Sequence, residues 1–260
     1  MEGLAGEAHD DNHDARWSHP PAHAFAEFLD HQMTLLNLTR SAIASASQML
    51  ELREAVNRRR VRIGEDPSPT DDQIAWAKLA DVEMLADFTN VHAAAVMVLW
   101  GGLEAFVDDL VIEGIVHEPA ALVNSAIAST KVPLRDFVGS EPRDLARLIV
   151  DHQKLSKRER GVSRFNAVLG LIGLDGEFRT DVKSGIWEMM AVRNLVAHRR
   201  GIVDSRFLED VPGYGQGEGE AIVIDAIRMN RYWSAVVEFG AELCGRIDDM
   251  WENGSLKGSS

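Results

Sequence analysis

Apolar residues return at helical intervals along most of this chain and nowhere alternate as a half-buried strand would. Between Ala22 and about Arg60, apolar pairs recur every seven residues: Phe28/Leu29, Leu35/Leu36, Ala42/Ile43 and Met49/Leu50. This spacing predicts one long helix with a continuous buried seam. Glu65-Asp66-Pro67-Ser68-Pro69 interrupts it. Thr70, with Gln73 three residues later, reads as a capping box that opens a second helix. A stripe running from Ile74 through Phe88 and Leu99 to Leu110 carries that helix to about Val116, with Gly101-Gly102 as a point of kinking or close approach.

Shorter helices are predicted at about 119–129, 142–156 and 163–173, between turns rich in Gly, Pro and Asp. A helix from Thr180 to about Arg200 follows, with Gly201 suited to a left-handed cap. Residues 202–220 read as a loop, 221–224 as a brief extended segment, and 226 to about 251 as a last amphipathic helix. Seven helical segments without a strand pattern predict an all-α chain, a helical bundle with long antiparallel helices. The expected organisation is a disordered tail over 1–21, a single all-helical domain over 22–251 and a flexible tail over 252–260, because neither end carries apolar periodicity.

With 260 residues, 45% of them hydrophobic, the chain can bury one sizeable core. Its formal net charge of -14 argues against broad phosphate neutralisation along a duplex, though it leaves room for a small basic cleft. Cys244 is the sole cysteine, so an internal disulfide and a thiolate-rich zinc site are both out of reach. A reducing cytoplasm is the expected setting. Met1 to Asp14 holds three aspartates and two glutamates where a secretory signal would be cationic and then apolar. The longest nearly apolar run, Ala93 to Leu103, is far below the roughly 20 residues of a membrane helix.

Two stripes run along the 180–200 helix: Val182, Ile186, Met189, Arg193 and Val196 on one, and Trp187, Ala191, Asn194 and His198 on the other. The chain's own core can cover the first, and a second chain or a cleft the other. Arg193 stands in an apolar stripe, where a guanidinium is costly to bury unless it finds an anion or several acceptors. Arg and His near a helix C-terminus also suit the helix dipole, which is their ordinary structural use.

Arg193-Asn194-Leu195-Val196-Ala197-His198 resembles the signature of the HEPN superfamily of helical-bundle ribonucleases: Arg, a polar residue, and His a few positions on. The flanks resemble the larger stand-alone members as well, with Trp100-Gly101-Gly102-Leu103-Glu104-Ala105-Phe106 on an early helix and His198-Arg199-Arg200-Gly201-Ile202-Val203-Asp204 closing the motif helix. The similarity spans roughly Asp71 to Trp251.

That resemblance implies a symmetric homodimer with two copies of the motif facing one another, cleaving single-stranded or loop RNA. Attack by the 2′-hydroxyl is internal, so neither metal nor cofactor is required. His198 would act as general base or acid, since an imidazole ordinarily titrates near neutrality. Arg193 would hold the scissile phosphate through planar bidentate donation. Asn194 would orient the imidazole or bind the phosphate, and Arg199, Arg200 and Glu104 would contact substrate. A toxin or antiviral effector held by an antitoxin or another regulatory protein fits this picture. Position 200 is Arg where the toxins paired with a nucleotidyltransferase antitoxin carry Tyr, so that pairing is not implied. The competing expectation is a non-catalytic helical dimer that binds a partner protein or nucleotide.

Overall fold

Helices account for nearly all regular structure in the computed structural model, which describes residues 20–68, 71–117, 140–156 and 159–252. The eight described helices are α1 Pro20–Arg62, α2 Asp71–Leu85, α3 Thr89–His117, α4 Pro142–Ser156, α5 Val162–Leu169, α6 Thr180–Arg199, α7 Ser205–Asp210 and α8 Ala226–Glu252. The chain is all-α. The proposed tails lie almost wholly outside the described residues, as do Thr70 of the capping box and the helix expected over 119–129.

Two boundaries and one burial pattern depart from the sequence expectation. The helix expected to run from Thr70 to Val116 is two helices, broken at Ala86-Asp87-Phe88. Asp87 and Phe88 adopt φ values of 49° and 59°, and Phe88 N donates to Glu83 O at 2.8 Å while Asp87 N donates to Met84 O at 3.0 Å. This is a Schellman ending in which Asp87 takes the left-handed place usually given to Gly. The Glu83 carboxylate then accepts from Asn90 N at 2.8 Å and Val91 N at 3.0 Å, satisfying two orphan donors at the start of α3. The loop expected over 202–220 contains α7, whose N-cap Asp204 accepts from Phe207 N at 2.8 Å. Finally, the seam expected along α1 is only half buried: Leu29 and Leu36 are enclosed, whereas Leu35 and Met49 are exposed.

The described residues divide into two compact units, one of 20–29, 100–117, 140–156, 159–187 and 234–252 and the other of 30–68, 71–99 and 188–233. The first unit is centred on aromatic packing. Phe165 lies 5.5 Å from Trp100 and 5.5 Å from Phe239, Phe239 stacks on Phe178 at 4.5 Å, and Phe25 stacks on Phe106 at 4.2 Å. Such pairs add roughly 0.5–1.5 kcal/mol each beyond their buried area. Gly102 has its reason here, since a Cβ on it would lie 2.1 Å from the Phe28 ring.

In the second unit, α2 runs antiparallel beside α1: Asp81 accepts from Ser47, and Ser68 just before α2 meets Asn57. His92 of α3 is fully buried; its Nδ1 faces the Ile224 carbonyl at 2.5 Å and its Nε2 faces Arg40. Asp87 accepts from Ala226 N at 2.6 Å, joining the α2–α3 break to the first residue of α8. Among the described residues no helix is long and apolar enough to cross a membrane.

Candidate functional site

Acidic Asp181 sits in the first turn of α6 and His198 and Arg199 in its last, each on the side the helix dipole favours. Val182, Ile186 and Met189 of the predicted stripe are buried, and so are Met190, Ala191, Val192 and Leu195. The second stripe is therefore partly covered within the chain: Ala191 is enclosed and Trp187 is half-buried, leaving Asn194 and His198 exposed. Trp187 owes part of its cover to Gly161, whose φ of 57° and missing side chain let the indole approach to 3.0 Å of where a Cβ would stand.

Arg193 is half-buried, as its place in an apolar stripe demands. Its Nη1 donates to Asn194 Oδ1 at 3.2 Å, while its Nε is buried without a hydrogen-bond partner among the described residues. An unpaired buried guanidinium N–H costs about 1–3 kcal/mol, more than most helix-surface residues contribute in total. Among the described residues, the bond from Nη1 to Asn194 is the one hydrogen bond this guanidinium makes. His198 lies five positions after Arg193, which places them about 140° apart around the helix axis. Asn194 lies about 40° from His198 and is bonded to Arg193, so it links the two directions.

The end of α6 is fastened rather than frayed. Arg200 and Gly201 take left-handed φ values of 56° and 73°. Beyond them Ile222 N donates to Gly201 O at 2.8 Å, Val203 N to Glu220 O at 2.9 Å, and Gly219 N to Val203 O at 2.9 Å, around the antiparallel bridge of Ile202 and Ala221. Arg199 Nε lies 3.3 Å from Asp204 Oδ2, so the carboxylate that caps α7 also holds the last residue of α6. Arg200 is exposed, and exposed Arg206 reaches Asp210 at 4.0 Å. Of the residues expected to contact substrate, Arg199 is tied to Asp204 and Arg200 faces solvent. Glu104 belongs to the other unit and accepts from Arg164 at 2.8 Å. Nearby, Lys154 pairs with Asp108 and Arg164 with Glu104, while Lys157 and Arg158 lie outside the described residues.

Sequence reasoning missed a network one and a half turns before Arg193. Glu188 is buried and accepts from Tyr232 Oη at 2.7 Å and from Arg231, with Arg228 at 3.8 Å. Arg228 also lies over the Tyr214 ring at 3.9 Å, and Tyr214 donates to Val223 O at 3.1 Å. Burial pushes the Tyr214 hydroxyl up to about 12 and raises that of Tyr232 as well, so both remain neutral donors. Glu188 amid apolar neighbours was the available signal, since a carboxylate is buried only when paired. Among the described residues no group of three or more His, Cys, Asp or Glu side chains converges as a metal site would. No family model, curated protein or solved structure matches this chain.

Proposed function

We propose that the protein is a metal-independent endoribonuclease of the HEPN type, acting on single-stranded or loop RNA as a homodimer. The observation that carries this reading is Arg193: a half-buried guanidinium whose Nε has no partner among the described residues, bonded only through Nη1 to Asn194, one turn before exposed His198. A phosphate oxygen would take its bonds from the terminal Nη groups, because the buried Nε is closed to an incoming anion.

Because Arg193 and His198 diverge around one helix, the reading requires a second α6. Across a two-fold axis, the Arg193 of one copy then holds the phosphate on which His198 of the other moves a proton. His198 takes the proton of the 2′-hydroxyl as that oxygen attacks phosphorus, and the 5′-oxygen leaves with a proton from an acid, giving a 2′,3′-cyclic phosphate. The exposed Asn194 and His198, with Arg200 beside them, form the face on which RNA would rest. An antitoxin or other regulatory protein would act by covering it.

The test is cleavage of an unstructured RNA in EDTA, reading the product ends. A 2′,3′-cyclic phosphate lost in His198→Ala supports the proposal, and activity indifferent to that substitution sinks it. The net charge of -14 favours a second reading, a non-catalytic helical dimer that binds a partner protein, because so acidic a chain repels RNA away from the motif.

A further inference from the structure

Along the outer side of α1, positions 35, 38, 42, 45, 49, 52, 56 and 59 carry Leu, Leu, Ala, Ser, Met, Leu, Val and Arg, at alternating steps of three and four. All eight are exposed, and the large ones strongly so: Leu35 50%, Leu38 63%, Met49 58%, Leu52 60% and Val56 49%. The opposite side of the helix holds the intrachain contacts, with Leu36 buried, Arg40 on His92, Ser47 on Asp81 and Asn57 on Ser68. α1 therefore carries two separate seams, and the outer one has the 3.5-residue period of a helix meant to supercoil with another helix. Trp76, Leu79 and Val82 of α2 are each more than half exposed as well. Leu35, Ala42, Trp76 and Leu79 line an open groove of about 650 Å³ beside the seam. Soluble chains rarely leave so much contiguous apolar surface in water unless something covers it.

We propose that the outer seam of α1 is an interface between two copies of this chain, paired antiparallel across a two-fold axis near residue 47. Two features select the occupant and its direction. The first is volume: in that register Ala42 faces Leu52, Ser45 faces Met49, Leu38 faces Val56, and the Arg59 stem covers Leu35, so every small or polar position meets a large apolar one of the partner. The second is charge. The last turn of α1 holds Arg59, Arg60 and Arg62, whereas the positions flanking the first half of the seam, Thr34, Thr39, Ser41 and Ala46, are uncharged. Parallel pairing sets the arginine ends against one another; antiparallel pairing sends each to an uncharged end. This face is separate from the α6 motif, so the inference stands whether or not the protein cleaves RNA.

The experiment uses the full chain. Buried Cys244 leaves the wild type as a silent background for thiol cross-linking. Gln48→Cys, close to the two-fold axis, should give a covalent dimer with a short bis-maleimide. Val56→Cys should not, because its two copies would lie more than about 25 Å apart along the paired helices. In light scattering, Leu38→Glu with Leu52→Glu should halve the molar mass while helicity and melting temperature stay near those of the wild type, since both side chains face solvent in the monomer. Cross-linking at both cysteines overturns the antiparallel arrangement. A mass unchanged by the double substitution, or a wild-type monomer with or without an apolar molecule bound in the groove, overturns the interface itself.

Discussion

Arg40 and His92 form a donor and acceptor pair inside the second unit, with Arg40 Nε donating to His92 Nε2 at 3.1 Å. The Ile224 carbonyl oxygen, 2.5 Å from Nδ1, can only accept, so Nδ1 carries the proton and Nε2 offers its lone pair to the guanidinium. A second proton on this ring would face Arg40 with no acceptor.

Burial accordingly lowers the pKa of His92, and the Arg40 charge lowers it further against the opposing carbonyl bond. The unfolded chain takes up the proton first as the pH falls, so the stability held in neutral His92 is fully present above about pH 6.5 and is lost below it, toward the depressed folded value. Melting temperature should decline as the pH falls below about 6.5, and His92→Gln should flatten that part of the profile. An unchanged slope in the variant would assign the decline to other groups.

Glu188 holds Tyr232, Arg231 and Arg228 together beneath the motif helix. Glu188→Ala should lower unfolding stability in urea by about 2–3 kcal/mol, at the low end for a broken buried pair because Arg231 is half-exposed. Glu188→Gln, which still accepts from Tyr232, should lose less.

Neighbouring positions at the end of α6 should respond with opposite signs. Gly201 has φ 73° and an Ile222 methyl 3.3 Å from where a Cβ would be, so Gly201→Ala should cost about 1–2 kcal/mol. Arg200 has φ 56°, and Arg200→Gly should gain a few tenths to about 1 kcal/mol. Thermal unfolding of the two variants reads the difference directly.

For the proposed ribonuclease, His198→Ala should lower cleavage roughly 10²–10⁴-fold, the usual contribution of a positioned acid or base. Arg193→Ala should do comparable damage, and Arg193→Lys should recover little, because a point charge cannot reproduce planar donation. Asn194→Ala frees Arg193 Nη1 from its bond and should lower turnover less than either. RNA binding measured alongside should survive better than turnover in all four variants.

Periodicity in the sequence determined the class and most of the elements. α4 runs over Pro142–Ser156 as its pattern predicts, and α6 and α8 end within a residue of expectation, because Gly201 and the helical spacing are local signals. The motif could be located in the same way, since Arg193, Asn194 and His198 are fixed by spacing along one helix. Tertiary structure decided what spacing cannot carry. The α2–α3 break has no Gly or Pro to announce it and rests on Asp87 reaching Ala226, 139 residues away. Ala191 is buried although it shares a stripe with exposed His198, and Arg199 is paired with Asp204, which also caps the next helix. The seven-residue pattern of α1 likewise revealed apolar faces without telling which is inside. A helix repeats its faces identically along its length, and only the neighbours that fold against it make one of them the core.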